Sequence, residues 1–426
     1  MLDQEITTTL MKAVDTGFEE QIELTAELVR FPSVRGAEHT AQDFIATEMH
    51  RRGLAVDRFQ VNIEDIRNLP GFSPVHANYD NAFNVVGCHR ADNRKGRSLI
   101  LNGHIDVVPP GPLDMWSTPP FEPRRDGNWL YGRGAGDMKA GLAGCLAALD
   151  ALARIGYRPA ADVIVQSVVE EECTGNGALA CVARGYRADA ALIPEPMADR
   201  LIRAQVGVLW FQVQVRGIPV HVREAGAGAN AIEAAYGLMK ALHRLEEEWN
   251  GRRAAFPPFE EVEHPINLNI GKIAGGDWPS SVPAWCSFDV RIAIYPGQAI
   301  ADAKREIEQT ILGAAQENRF LDNCPPTIVY HGFEAEGYVL AGADEPVATL
   351  DAAHRVVFGC ALERSAVTFT TDARFFGLYA GFPALVYGPN TQAIHGFDER
   401  VDLESLRRIT QAMALFVADW CGLQKR

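Results

Sequence analysis

The chain has 426 residues, with 40 Lys plus Arg against 55 Asp plus Glu, and therefore a formal net charge of −15. At about 100 to 200 residues per domain, this length predicts two or three domains. A composition of 47% hydrophobic and 22% charged residues is typical of globular proteins and excludes the disordered and fibrous classes. Nucleic acids and anionic membranes bind concentrated positive charge, so the acidic balance disfavours both partners and favours a small-molecule substrate.

The start of the chain predicts a cytoplasmic protein. Residues 1–14 carry acidic side chains and lack a basic stretch followed by an apolar one, so they do not resemble a secretory signal. The weakly polar run at 140–149 is too short to cross a bilayer. The eight cysteines are scattered without a C-x-x-C pair, and we expect reduced, mostly buried thiols rather than a structural zinc site.

Up to about residue 206, helical patterns alternate with short apolar runs. The predicted strands are 98–102, 162–169 and 188–193, and the predicted helices are 11–29, 139–155 and 177–184. Each strand is continuously apolar, which is typical of parallel strands with both faces covered. This part of the chain therefore predicts an α/β domain with a mostly parallel sheet and helices on both faces.

From about residue 208 the element order changes. The pattern predicts strand, helix, two strands, helix and strand over 209–216, 230–249, 266–273, 284–294, 298–318 and 327–331. This is the β-α-β-β-α-β order of a ferredoxin-like α+β unit. Afterwards the α/β pattern resumes, with elements at 345–357, 384–387 and 403–422. We predict a catalytic domain in two parts, 1–206 and 336–426, with a domain inserted at 207–335.

Ligand-type side chains follow the ends of several predicted strands, whereas the P-loop, H-E-x-x-H, G-x-S-x-G and G-x-G-x-x-G signatures are absent. These side chains are His104 and Asp106, the run from Glu170 to Glu172, Glu195, and His395. Because ligands bind beyond the carboxyl ends of parallel strands, we expect these groups to converge in one crevice, where Asp137 could join them.

Two histidines and several carboxylates without a thiolate favour a divalent metal, Zn²⁺ first and then Co²⁺ or Mn²⁺. Several carboxylates are costly to bury together unless cations neutralise them. In the alternative interpretation, each histidine lies at the surface or in a satisfied core contact, and the three glutamates form a solvated face.

Four segments carry a family resemblance: GHIDVVP at 103–109, GRGAGDMKAG at 132–141, EE at 171–172 and IPEP at 193–196. They resemble the M20 family of di-zinc peptidases and deacylases, whose members include acetylornithine deacetylase and succinyl-diaminopimelate desuccinylase. The resemblance covers nearly the whole chain, including the inserted domain. In that family the inserted domain pairs two subunits.

The resemblance implies roles for the strand-end residues. Asp137 would bridge two zinc ions. His104 and Glu195 would complete one metal site, and Glu172 and His395 the other. Asp106 would lie behind His104 and fix its ring.

Any adjacent pair within the glutamate run offers a base and a ligand. Gly175 and Gly177 stand three and five residues after Glu172, as in the family, so the resemblance makes Glu171 the general base and Glu172 the ligand. The family often has Asp where Glu170 stands and Gly where Thr174 stands.

The inserted domain carries two further expected site residues. His221 resembles the histidine that reaches the partner subunit's active site and stabilises the oxyanion, and Arg291 matches the arginine that holds a substrate carboxylate. Ser281 departs from the family, which often has Asn there. The resemblance implies a homodimer, and the alternating strand 209–216 could present an edge or face for pairing. Without the resemblance, His221 and Arg291 could each be an ordinary surface residue.

The predicted function is that of a metal-dependent amidohydrolase that removes an acetyl or succinyl-like N-acyl group from an amino acid. Two zinc ions would activate water, Glu171 would move its proton, and His221 would support the oxyanion. The resemblance favours a deacylase because Glu at position 195 accompanies deacylases and carboxypeptidases. The alternatives are an M20-type carboxypeptidase or dipeptidase, a two-metal phosphoesterase, and a non-catalytic binding protein on the same fold.

Overall fold

The chain is described by a computed structural model over residues 2–92 and 94–426. Its α-helices are Gln4–Arg30, His39–Arg51, Ile63–Ile66, Ala140–Arg154, Asn176–Ala183, Ala231–Gly251, Ile300–Gln316, Asp344–Phe358 and Leu403–Cys421. Each predicted helix is present. The first begins earlier than predicted because the Asp3 carboxylate accepts a hydrogen bond from the Ile6 backbone N–H and caps the helix.

A six-stranded sheet forms the centre of the α/β part. Its strands lie in the order Ala55–Gln60, Phe83–His89, Val163–Val168, Leu99–His104, Ala190–Ile193 and Ala384–Val386. The last four are parallel, and the first two pair antiparallel. Every residue of Val163–Val168 and Leu99–His104 is buried, as strands covered on both faces require. The predicted α/β class is confirmed.

A four-stranded antiparallel sheet, which we call the second sheet, has the order Leu268–Gly275, Trp285–Ile294, Gly207–Arg216 and Thr327–Ala335. Together with the helices Ala231–Gly251 and Ile300–Gln316 it encloses a separate hydrophobic core. The element order is that of the predicted ferredoxin-like unit. The domain limits at 207 and 335 remain predictions.

Of the two expectations for the strand at 209–216, an edge or a face for pairing, the edge is wrong. Gly207–Arg216 pairs with Trp285–Ile294 on one side and with Thr327–Ala335 on the other, so the strand is internal. Its alternation reflects two faces of the sheet, because every second side chain, such as Phe211, enters the core beneath the helices. The edges of the second sheet are Leu268–Gly275 and Thr327–Ala335.

Smaller elements connect these two parts. The remaining strands are Arg124–Asp126, Trp129–Tyr131, Tyr157–Pro159, Leu201–Gln205, Tyr338–Val339, Arg364–Val367, Thr391–Gln392, Arg400–Asp402 and Leu423–Lys425. The short 3₁₀ and π turns are Leu113–Met115, Ala135–Lys139, Val222–Ala227, Arg253–Ala255, Pro257–Phe259 and Phe375–Ala380.

Within residues 2–92 and 94–426, no helix combines the length and apolarity that a membrane span requires. The cytoplasmic location remains a prediction.

Candidate metal centre and active site

The ends of three parallel strands bring acidic and imidazole side chains to one edge of the six-stranded sheet. His104 is the last residue of its strand, Glu171 and Glu172 follow Val163–Val168, and Glu195 follows Ala190–Ile193. Because these strands are parallel neighbours, their carboxyl ends open into the same crevice.

Asp137 lies between the two predicted ligand histidines and offers one oxygen to each. Its Oδ1 is 3.1 Å from His104 Nε2, and its Oδ2 is 3.5 Å from His395 Nε2. Glu195 Oε2 lies 3.8 Å from His104 Nε2, and Glu172 Oε2 lies 3.1 Å from His395 Nε2. Asp137 thus faces both histidines, and the assignment of ligands to two sites, which the family resemblance implies, stays a prediction.

The donor set fits a divalent metal. Ligand atoms of His104, Glu171 and Glu195, and those of His104, Asp137 and Glu172, lie within 4.8 Å of one another. All are nitrogen or oxygen donors, which suits zinc and similar ions. His104 and Glu195 are 1% and 4% exposed, so their charges are removed from solvent. Closely spaced buried carboxylates require cations, and bound metal ions would supply them.

Burial and neighbouring charges shift the pKa values of the groups in this centre. Burial raises the pKa of Glu171 and of Glu195 well above the usual range. Burial alone would lower the pKa of His104, but the charges of Glu195 and Asp137 raise it well above its usual value. The Glu172 carboxylate raises the pKa of His395 to about 11. A metal ion must replace these protons, so binding should release them.

Glu170 lies outside the cluster. Its carboxylate accepts hydrogen bonds from Arg35 Nε at 2.5 Å, from Arg35 Nη2 at 2.7 Å and from the Thr174 hydroxyl at 3.0 Å, and it also contacts the Tyr79 hydroxyl. Glu171 and Glu172 are the members of the run that face the histidines. Glu170 and Thr174, the two departures from the family pattern, are hydrogen-bonded to each other.

Asp106 contacts His104 mainly through its backbone. Its carbonyl oxygen is 2.9 Å from His104 Nδ1, whereas its nearest carboxylate oxygen is 3.7 Å away. The carboxylate instead accepts hydrogen bonds from the backbone N–H groups of Glu171 at 3.3 Å and Glu172 at 3.1 Å. Asp106 thus contacts both the imidazole ring of His104 and the backbone of the glutamate pair. The sequence did not predict the contact with the glutamate pair.

His221 lies outside this cluster in the single chain. It is exposed, and its Nδ1 accepts a hydrogen bond from the Arg223 backbone N–H at 3.1 Å. Its segment forms a β-bridge with Ser281, the position where the family often has Asn. A contribution of His221 to a metal centre therefore requires a second chain or a large movement.

Arg291 is half-buried on the second sheet. It donates to the backbone carbonyls of Asn267 and Thr368, both at 3.1 Å. Burial lowers its pKa to about 10. In the described part of the chain no carboxylate pairs with this guanidinium group. The positive charge of Arg291 is therefore available to an anionic group of a ligand.

Sequence reasoning missed two buried acidic residues beside the centre. Both carboxylate oxygens of Asp372 are buried without a hydrogen-bond partner among the described residues, and its charge acts on Glu171 and Glu195. Glu399 contacts the backbone of Asp137. One signal for Glu399 was available: Arg133, inside a glycine-rich turn, required an acidic partner.

Comparison with known proteins identifies the family. The sequence model of Peptidase family M20/M25/M40 matches residues 100–419. The chain belongs to this family of metal-dependent hydrolases, so the family resemblance seen in the sequence is confirmed.

Individual relatives cover the chain almost completely. The chain is 30% identical to N-formyl-4-amino-5-aminomethyl-2-methylpyrimidine deformylase of Halalkalibacterium halodurans over 98% of each chain. It is 28% identical to succinyl-diaminopimelate desuccinylase of Acidovorax ebreus over 91% of this chain and 95% of the relative. The solved structure of the dipeptidase Dug1p of Saccharomyces cerevisiae has a TM-score of 0.79 at 15% identity and matches over 97% of this chain and 98% of that chain, which shows a shared fold.

The geometry of Asp137 leads to a prediction about metal binding. Because this side chain faces both histidines, Asp137→Ala should weaken two metal sites. The metal affinity of each should fall by more than about 100-fold, because substitution of residues that only support a metal ligand already costs up to about 100-fold. His395→Ala should weaken mainly one site. Zinc titration of the metal-free protein by calorimetry checks both variants. Retention of two tight ions in Asp137→Ala would contradict the shared position.

Proposed function

We propose that the chain is a dinuclear metal-dependent N-deacylase that hydrolyses the amide bond of a small N-acyl amino acid. The position of Asp137, with one carboxylate oxygen toward each histidine, carries the proposal because it suits the shared ligand of a two-metal site. The names of the deformylase and desuccinylase relatives support removal of a formyl or a succinyl group.

Five side chains would hold the metal ions: His104 and Glu195 at one site, Glu172 and His395 at the other, and Asp137 at both. Zinc is the first choice for these donors, with Co²⁺ or Mn²⁺ as alternatives. When bound, such ions polarise a carbonyl and lower the pKa of water.

Glu171 is the proposed general base. Its Oε2 lies 4.0 Å from His104 Nε2, so the carboxylate is close enough to the centre to reach a water molecule there. Burial raises its pKa well above the usual range. Bound cations nearby would lower this pKa again, and the ionised carboxylate could then take a proton from water and return it to the leaving amine.

Arg291 is the proposed holder of the substrate carboxylate. A guanidinium group that donates only to backbone carbonyls keeps further N–H groups for a planar, bidentate partner. This contact favours an N-acyl amino acid over an uncharged N-acyl amine. A carboxypeptidase or dipeptidase with the same centre would also use it, so the assay must include dipeptides.

The test of the function is a substrate panel with a base variant. Zinc-loaded protein should hydrolyse one or more N-formyl, N-acetyl or N-succinyl amino acids faster than dipeptides. Glu171→Gln should keep both metals and lose about 10²- to 10⁴-fold in turnover, the usual contribution of a positioned acid-base group. Faster cleavage of dipeptides would contradict the deacylase proposal, and loss of a metal from the variant would make Glu171 a ligand.

We further propose a C₂ homodimer in which His221 of each subunit completes the active site of the other. Exposed apolar side chains surround this histidine: Val222 is 53% exposed and Trp278 is 69% exposed. The nearby edge strand Leu268–Gly275 has an open side to which a second chain could add. Together these features are typical of an association surface.

Mixing two inactive variants tests this arrangement. A heterodimer of Glu171→Gln and His221→Ala subunits contains one site with an intact Glu171 and a borrowed His221, so mixing should restore up to about half of the activity per heterodimer. Mass spectrometry confirms the subunit exchange. Exchange without recovered activity would show that His221 does not act across subunits.

A further inference from the structure

A buried ion pair joins the two loops that carry Asp137 and His395. Arg133 Nη1 lies 2.5 Å from Glu399 Oε2, and the two side chains are only 2% and 1% exposed. Arg133 precedes Asp137 in the glycine-rich turn, and Glu399 follows His395 by four residues. The pair is therefore adjacent in sequence to the two ligands while lying outside the ligand set.

The Glu399 carboxylate is fully used as an acceptor. Oε1 accepts hydrogen bonds from the backbone N–H groups of Gly136 at 2.9 Å and Asp137 at 3.0 Å. Oε2 accepts from the Gly134 N–H at 3.1 Å and from Arg133. Four donors occupy its four main acceptor positions, and one of them is the N–H group of the shared ligand itself.

Further hydrogen bonds extend the connection to the second loop. Arg133 Nη2 donates to the carbonyl of Gly396, next to His395, at 3.0 Å, and the Gly132 N–H donates to the Glu399 carbonyl at 2.9 Å. The His395 side chain is 51% exposed, so little side-chain packing holds it. Besides its contact with Glu172, these connections between the loops tie the backbone of the His395 loop to the turn that carries Asp137.

We propose that Arg133 and Glu399 are positioning residues that hold Asp137 and His395 at the separation required by one metal ion. The ion pair thereby sets the affinity of the site formed by Asp137, Glu172 and His395. This inference rests on the proposed metal centre.

A purely structural role makes a different prediction. Buried ion pairs contribute little net stability, although removal of one partner is strongly destabilising. If the pair served only the fold, a substitution would lower the stability of the metal-free chain without selecting one metal site. If it positions the ligands, the metal site that contains His395 should be affected selectively.

The test uses Glu399→Gln, which keeps the size of the side chain. An amide has a single acceptor oxygen, so one pair of donors, either Gly136 and Asp137 or Arg133 and Gly134, loses its acceptor. Calorimetric titration of the metal-free protein with Zn²⁺ should show the site that contains His395 weakened by about 10- to 100-fold, the usual effect of a residue that supports a metal ligand, and the other site weakened less. In a His395→Ala background the same change should weaken the remaining site less than it weakens the His395 site of the otherwise unchanged chain, because that site keeps only the contact of Glu399 with Asp137.

The control is Glu246→Gln in the helix Ala231–Gly251. Glu246 is also buried and accepts a hydrogen bond from a backbone N–H, that of Leu268 at 2.7 Å, but it belongs to the core beneath the second sheet. We expect unchanged zinc binding in this variant. If Glu399→Gln does not fold, Arg133→Lys replaces it, because lysine lacks the fork that reaches both Glu399 and Gly396.

Three results would overturn the inference: zinc affinities in the Glu399 or Arg133 variant equal to wild type, an equal loss at both sites, or the same loss in the His395→Ala background. Failure of the wild-type protein to bind two ions would instead refute the proposed metal centre itself. The two failures are thus distinguishable.

Discussion

The burial of several carboxylates at one edge of a sheet is the constraint on which the rest of the site depends. Glu195 and Glu171 are removed from solvent and lie within a few ångströms of Asp137 and His104. Such a group of negative charges is stable only with compensating cations. The carboxylates raise the pKa values of His104 and His395, which favours their cationic forms, and metal ions would supply the positive charge in the proposed active form.

Three of the surrounding acidic residues, unlike Asp372, have ion-pair or hydrogen-bond partners within the protein. Glu170 is paired with Arg35, Glu399 with Arg133, and Asp106 with two backbone N–H groups. Each of these contacts fixes a loop that carries a proposed ligand or base. Acidic residues that have partners within the protein therefore surround the central carboxylates, whose charges bound metal ions would neutralise. Such an arrangement suits metal binding.

The sequence predicted the parts that depend on local pattern. Continuous apolar runs identified the buried parallel strands, and ligand-type residues at their ends identified the site. The strand Phe83–His89 was not predicted because buried Asn84 interrupts its apolar pattern. The Asn84 side chain accepts a hydrogen bond from the Val169 N–H and donates one to the Gly177 carbonyl. The contact of Arg133 with Glu399 spans 266 positions, so no local pattern predicts it. The internal position of Gly207–Arg216 was missed for the same reason, because strand neighbours are set by tertiary pairing.

The most direct test of the account is crystallography of the zinc-loaded protein with anomalous diffraction recorded at the zinc edge. The account predicts two peaks about 3.5 to 4 Å apart, the usual spacing of a two-metal site, with Asp137 between them. His104 and Glu195 should contact one ion, and Glu172 and His395 the other. A single ion away from Asp137, or two ions bound by other residues, would contradict it.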